Sequence, residues 1–285
     1  MALRDLSTEE LREKARRLRG EMLVMLQRAG SGHPGGALSS MDLLTVLYNN
    51  VMRHDPKNPG WEDRDRFVLS KGHVCPALYV VLADCGYFEK KELKTLRKLG
   101  SILQGHPYMG KTPGLDVSSG SLGQGLSVAV GMAIAAKADH RPIRVYSLMG
   151  DGEQQEGQIW EAAMAAGQYK LDNLCGIVDY NGLQIDGAVE DVMDIAPLAD
   201  KWRAFNWNVI ELDGHSMEEI QAAFSAAEQV HGKPTVLIAR TVKGKGVSFM
   251  ENNASWHGAA PNSEQLAAAL QELGYKEDEL CADMN

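Results

Sequence analysis

The sequence predicts an α/β fold in which helices flank a central parallel sheet. Two observations carry that expectation. The apolar run 145–149 delivers Gly150-Asp151-Gly152 to its carboxyl end, a helical stretch follows, and a second apolar run, 174–178, delivers Asp179-Tyr180-Asn181 to the same edge. Strand, helix and strand in that order make a βαβ unit, whose two strands run parallel. Further runs of strand length stand at 66–69, 208–212 and 235–240.

From the amino terminus, Ser7-Thr8-Glu9-Glu10 reads as a capping box, and Leu11, Ala15, Leu18, Met22 and Met25 follow at helical spacing up to Gly30. That helix hands over to a glycine-rich loop, Ser31-Gly32-His33-Pro34-Gly35-Gly36, and a second helix is expected over 40–48. A proline-containing loop leads to the strand 66–69 and then to Ser70-Lys71-Gly72-His73, and the helical pattern returns over 76–85. Segment 103–125 is a long loop holding Gly105-His106-Pro107 and Gly120-Ser121-Leu122-Gly123-Gln124-Gly125. Loops of that length inside a compact domain are usually functional. An Ala-rich helix over 128–137 calls for close neighbours. After the βαβ unit come the strands 208–212 and 235–240 and a loop over 241–261. Gly244, Gly246, Gly258 and the run Glu251-Asn252-Asn253 make that loop a predicted mobile lid. The basic pairs Arg16-Arg17 and Lys90-Lys91 read as solvated helix faces. No internal repeat, low-complexity tract or linker interrupts the chain, so one domain is expected across 1–285, with a C-terminal loop and tail from about 241.

Composition narrows the function classes. A net charge of −9 argues against a nucleic-acid-binding surface, which needs concentrated Lys and Arg. No apolar run approaches the roughly 18–20 residues of a membrane span, and the charged amino terminus lacks a signal-peptide pattern. The four cysteines stand at no metal-ligand spacing, which makes a reducing cytoplasm the expected compartment. Glycine is abundant, at 29 residues, and clusters beside His, Asp or Ser, where bare backbone can approach a ligand.

The chemistry concentrates at the ends of the βαβ strands, where open parallel sheets bind ligands. Asp151, Asn181 and a nearby backbone carbonyl are hard oxygen donors able to meet on one ion. Mg²⁺ takes such oxygens octahedrally at about 2.1 Å and shares itself with phosphate oxygens. Gly-Asp-Gly is also a common tight turn, so the motif alone is moderately specific. Four of the eight histidines stand in glycine-rich or loop contexts: His33, His73, His106 and His257. Together they suit a site that handles hydroxyl and carbonyl protons near neutral pH and hydrogen-bonds diphosphate oxygens. His54, His140, His215 and His231 lie in polar connecting segments and carry no functional expectation.

SGHPGG, SKGH, GHP with the TPG and GSLGQG stretches, GDG…E…N and a final GKG…HGAAP stand in one order from Ser31 to Pro261. This series resembles the N-terminal, diphosphate-binding half of the transketolase family. The resemblance implies a thiamine diphosphate-binding fold, with thiamine diphosphate and Mg²⁺ (or Ca²⁺ or Mn²⁺) as cofactors. It assigns the metal to Asp151, Asn181 and the carbonyl of Leu183. Cofactor contacts fall to Gly152, to the backbone of Gly120, Ser121 and Leu122, and to His73 and His257. Glu156 matches a glutamate at the heart of the cofactor site between subunits, and His33, His106 and His257 match histidines that face the donor ketose.

Two local departures from the family pattern are Ser121, where many members have Pro, and Tyr180, where an acidic residue or Asn commonly precedes the metal-binding Asn. The third is length. Full-length transketolases carry a second domain that supplies a glutamate and an aromatic pocket for the aminopyrimidine ring and arginines for the sugar phosphate. The resemblance therefore implies a split enzyme, completed by a C-terminal subunit bearing the pyrimidine-binding domain in an α2β2 assembly. Its reaction would be transfer of a two-carbon ketol unit between sugar phosphates. Within the same superfamily, the α subunit of a 2-oxoacid dehydrogenase and a deoxyxylulose phosphate synthase-like fragment are alternatives, and a non-catalytic partner subunit is a third.

Overall fold

Helix α1, Thr8–Ala29, starts where Ser7 and Glu10 exchange hydrogen bonds, the serine hydroxyl accepting from the Glu10 amide at 3.3 Å and the glutamate accepting from the Ser7 amide at 2.8 Å. It stops at Gly30, whose φ of 64° sends its N–H back to the carbonyls of Leu26 and Gln27. The computed structural model describes residues 5–282 and 284, so the ends of the 1–285 span lie outside the described residues.

Helix α2 runs Pro34–Val46, earlier than the expected 40–48, and its last turn loosens into a π-helical turn, Leu47–Val51. The second half of the segment expected as a glycine-rich loop, Pro34 to Gly36, is thus the first turn of a helix. Pro34 sits at the start, where its fixed φ fits and no N–H is needed. Gly35 serves close packing there: a Cβ would stand 2.9 Å from the Trp256 carbonyl oxygen and 3.0 Å from the Lys243 side chain.

Among the described residues the main sheet has five parallel strands in the order β1 (Arg66–Leu69), β2 (Val145–Gly150), β3 (Leu174–Tyr180), β7 (Thr235–Arg240), β6 (Asn208–Asp213). The register sets Gly150 beside Asp179 and Tyr180 beside Arg240, so the strands end together. Alternation along each strand splits the core in two. Phe67, Leu69, Tyr146, Leu148, Cys175, Ile177, Leu237 and Ala239 pack beneath α1, α2, α3 (Cys75–Cys85) and α8 (Met217–Glu228). Val68, Val145, Met149, Leu174, Val178, Val236 and Ile238 pack beneath α4 (Gln124–Ala138), α5 (Gly157–Gln168) and α7 (Leu198–Ala204). The expected α/β architecture, with a parallel sheet covered on both faces, is the one observed. Between β3 and α7 the chain makes a small hairpin, β4 (Leu183–Gln184) and β5 (Gly187–Ala188), and a short helix, α6 (Val189–Met193).

Three features add to or differ from the expectations. The tail after the C-terminal loop is helical: α9, Ser263–Leu273, opens on an Asn262–Gln265 capping box and packs on α1, and α10, Glu277–Ala282, follows. Second, the loop 241–261 is anchored rather than lid-like. Lys243, Val247, Met250 and Trp256 are buried in it, and the Gly244 amide donates to the Gly35 carbonyl at 3.0 Å. Third, Arg17 and Lys90 are not simply solvated, since both pair with the buried carboxylate of Glu21, at 3.1 and 2.8 Å. The four cysteines are free thiols, and none of the described helices is long and apolar enough to cross a membrane.

Two glycines predict opposite stability effects. Gly244 has φ 82°, and a Cβ would stand 2.2 Å from the Met250 carbonyl oxygen. Gly244→Ala should therefore cost on the order of 2 kcal/mol or more in urea unfolding. Gly131 lies mid-helix in α4 with open space where an added methyl would point, so Gly131→Ala should stabilise the chain by about 0.5–1 kcal/mol. Equal effects would contradict the local packing described.

Candidate active site

The carboxyl ends of β1, β2, β3 and β7 meet the start of α2 at one charged centre. Asp179, the next-to-last residue of β3, is fully buried and accepts from Ser39 Oγ at 2.6 Å, from Ser40 Oγ at 2.8 Å, and from Lys71 Nζ and Thr241 Oγ1. Burial pushes its carboxyl up, but the Lys71 ammonium and the hydroxyl donors outweigh that and hold it below the ordinary carboxylate value. A second buried carboxylate, Glu153, accepts from the amides of Gly123 and Gly150 at 2.9 and 3.0 Å and from the Ser70 hydroxyl. It thereby ties the 120s loop and the end of β1 to the GDG turn.

Above this centre lies a cavity of about 350 Å³. Asp151 stands in its wall, 3% exposed, its two oxygens accepting from the amides of Gly152 at 2.8 Å and Gly182 at 2.5 Å. Burial and then the neighbouring charge of Asp179 raise its carboxyl to about 6. Asn181 Oδ1 accepts from the Leu183 amide at 3.1 Å, and the Leu183 carbonyl accepts from Lys243 Nζ at 3.0 Å. Lys243 also meets His257 Nδ1 at 2.9 Å, and burial lowers its ammonium to about 8. Bare backbone closes another wall: a Cβ on Gly72 would stand 2.8 Å from the Gly120 nitrogen.

Three of the four singled-out histidines form a cluster. The rings of His33, His73 and His257 lie 5.2 to 5.6 Å apart, centroid to centroid. Burial, with cationic neighbours, lowers His33 and His257 to about 4 and His73 further still. All three rings are neutral at pH 7, able both to donate and to accept. His106 is exposed and does not line the cavity; its ring stands 3.2 Å from where a Cβ on Gly120 would be, and burial lowers it as well.

Of the residues expected at the site, His33, His73, Gly120, Leu122, Asp151, Gly152, Glu156, Asn181, Leu183 and His257 line the one cavity. Glu156 stands exposed there as the residue that caps α5. Ser121 does not line it. This exposed residue borders a separate shallow pocket against α4, because the turn that presents Gly120 and Leu122 to the cavity points it outward. Sequence reasoning missed Lys71, Glu153, Asp179 and Lys243. Lys71, Glu153 and Asp179 sit inside motifs already singled out, SKGH, GDG…E and DYN, and Lys243 directly precedes GKG.

A family model described as the transketolase thiamine diphosphate-binding domain matches residues 12–282. The chain belongs to the transketolase family. It is 47% identical over 264 residues to a 6-deoxy-6-sulfo-D-fructose transketolase subunit of a Clostridium species, covering 93% of this chain and 96% of that one. An apulose-4-phosphate transketolase subunit of Phocaeicola vulgatus is 46% identical over 280 residues, covering 98% and 99%. Human transketolase is 44% identical over 271 residues, but these make up only 42% of its length. The crystal structure of Campylobacter jejuni transketolase superposes with a TM-score of 0.90 at 36% identity, covering 95% of this chain and 44% of that one. The chain thus corresponds to the thiamine diphosphate-binding portion of a transketolase and spans less than half of the full-length enzymes.

The depressed histidines set a pH dependence. A group that protonates less readily folded than unfolded contributes fully above its unfolded value, and the contribution is lost as pH falls toward the folded one. Stability should therefore fall as pH drops from about 6.5 to about 4. In an NMR titration the His33 and His257 ring signals should stay those of neutral imidazole down to about pH 5, given the depression by burial; midpoints near 6.5 would contradict the burial described.

Proposed function

We propose that this chain is the diphosphate-binding subunit of a two-chain transketolase, which moves a two-carbon ketol unit from a ketose phosphate to an aldose phosphate once a second subunit completes the site. The observation that carries this is the cavity wall, where the buried Asp151 carboxylate of the GDG turn stands beside an amide, a carbonyl and three neutral imidazoles. Two relatives that match this chain over more than nine-tenths of both lengths are themselves named as transketolase subunits.

The donor set fits a hard divalent cation bound jointly with a diphosphate. Asp151, Asn181 and the Leu183 carbonyl offer oxygens only, and the carboxyl of Asp151, raised by burial and then by Asp179, would be favoured in its charged form by a cation. Among the described residues no group of three or more His, Cys, Asp or Glu side chains is placed to hold a metal. A cation here would complete its shell with phosphate oxygens, so metal and cofactor bind together. Gly152 and the backbone of Gly120 and Leu122 would face the diphosphate, with His73 and His257 as neutral hydrogen-bond partners and Lys243 as a cation. Thiamine diphosphate supplies, when bound, a nucleophilic thiazolium carbon and an electron sink. The chain's own side chains would do the remaining work. His33 and His257 orient substrate hydroxyls, and His106, exposed beside Gly120, moves a proton to or from the sugar. Glu156, exposed at the mouth, faces the neighbouring subunit.

The face that meets another subunit is proposed on α4 and α5. Val128, Gly131 and Ala135 of α4 are exposed beside Met164 of α5, which is 60% exposed, and Tyr169 just after it, 61% exposed. Apolar side chains grouped in this way mark a contact surface. An α2β2 stoichiometry follows if each of two such chains pairs with one pyrimidine-binding subunit.

Two outcomes test this function. Thiamine diphosphate with Mg²⁺ should raise the melting temperature of the parent chain, because a ligand of the folded state stabilises it. Asp151→Ala should fold yet show no such rise; an unchanged rise would overturn the site. In the assembled enzyme His33→Ala and His106→Ala should lower ketol transfer by about 10² to 10⁴ with little change in cofactor affinity. Parental rates in both would remove these histidines from the reaction.

A further inference from the structure

His215 lies on the connection between β6 and α8, outside the cavity. Its ring bridges two elements at hydrogen-bond distance: Nδ1 is 2.7 Å from Asp42 Oδ2, and Nε2 accepts the Val242 amide at 2.9 Å. An N–H facing Nε2 requires that nitrogen to be the acceptor, so the proton sits on Nδ1 and is donated to Asp42. Asp42 is itself fixed by the buried guanidinium of Arg19, whose Nη1 and Nη2 lie 2.8 and 2.7 Å from its two oxygens. A bidentate pair of this kind holds the carboxylate in one plane. The chain Arg19–Asp42–His215 therefore ends on the backbone of Val242, one residue before Lys243.

Lys243 is the side chain that this peptide sends into the cavity, to the Leu183 carbonyl and to His257. Its neighbours along the backbone are held elsewhere, the Thr241 amide on the Tyr180 carbonyl and the Gly244 amide on the Gly35 carbonyl, each at 3.0 Å. Between those two anchors the Val242 carbonyl accepts from the Lys245 amide at 3.1 Å and the Lys243 carbonyl from the Asn252 amide at 2.9 Å, and the Val242 N–H is the group that His215 holds. We propose that His215 is a positioning residue for the cofactor site: its Nε2 fixes the Val242 peptide and thereby aims the Lys243 ammonium at the diphosphate pocket. This rests on the thiamine diphosphate site proposed above.

The two ring nitrogens can be separated by substitution. H215Q places an acceptor oxygen near the Nε2 position and can still hold Val242, whereas H215N reaches only toward Asp42 and leaves the Val242 amide without its acceptor. Titrations of the full chain with thiamine diphosphate and Mg²⁺ should show affinity about tenfold weaker for H215N and within about twofold of parent for H215Q, the scale of one hydrogen-bonded contact. In the K243M background, adding H215N should weaken binding no further, since the two residues act in series. A loss shared equally by H215N and H215Q, or one that persists undiminished in K243M, would overturn the proposal in favour of simple packing. Should H215N not fold, the ring ¹⁵N shifts of the parent decide: they must report Nδ1–H with an unprotonated Nε2, and the opposite tautomer contradicts the assignment. D151A, titrated alongside, separates the two levels. Unaltered affinity in D151A would fail the cofactor site itself, whereas lost affinity in D151A with parental affinity in H215N would fail only His215.

Discussion

The site depends on one buried carboxylate, Asp179. It lies near the end of β3, and its oxygens collect Ser39 and Ser40 from α2, Lys71 from the turn after β1 and Thr241 from the segment after β7. A buried charge is tolerated only when paired and hydrogen-bonded, so each of these elements is held to the others by a requirement that cannot be met elsewhere. Removing any one donor leaves a partly unsatisfied charge in the core. The cavity walls are set by that constraint: Lys71 is consumed by Asp179, Asp151 is left with backbone donors, and the residual negative charge faces the cavity.

That division of charge gives the two aspartates different tasks. Asp179 is held ionised by Lys71, while Asp151, one strand away and facing the opening, is raised by burial and by Asp179 itself. Neighbouring groups pushed in opposite directions are a mark of functional sites. The histidine cluster has the complementary character. Burial, with cationic neighbours second, keeps its rings neutral, suited to hydroxyl and phosphate hydrogen bonding rather than to bearing charge.

Much of this was legible in the sequence, because β2, α5 and β3 follow an unbroken rule of apolar strand, helix, apolar strand, and because the GDG turn and Asn181 sit at the strand ends where parallel sheets bind ligands. The capping box of α1 was equally plain. Other features needed the third dimension. The glycines of SGHPGG read as a loop, yet Gly35 is small because the Trp256 carbonyl and Lys243 press against the first turn of α2. Asp179 shares its motif with Asn181 and two-residue periodicity puts both on one face, but which one meets α2 and which meets the cavity depends on where the strand ends. His215 had the polar surroundings of an ordinary connecting loop, and nothing local announces Asp42, distant in sequence, as its partner. Helix α9 is the exception, since Asn262 and Gln265 carried a capping signal that the expected tail overlooked.

In the proposed site the oxygens of Asp151, Asn181 and Leu183 gather one divalent cation together with a diphosphate. Crystals grown with thiamine diphosphate and Mn²⁺ test it most directly through anomalous scattering. A single strong peak bonded to the Asp151 carboxylate, Asn181 Oδ1 and the Leu183 carbonyl oxygen, with the Lys243 ammonium displaced from that carbonyl, is the predicted result. Bound cofactor with the manganese elsewhere, or with Lys243 still seated on Leu183, would contradict it.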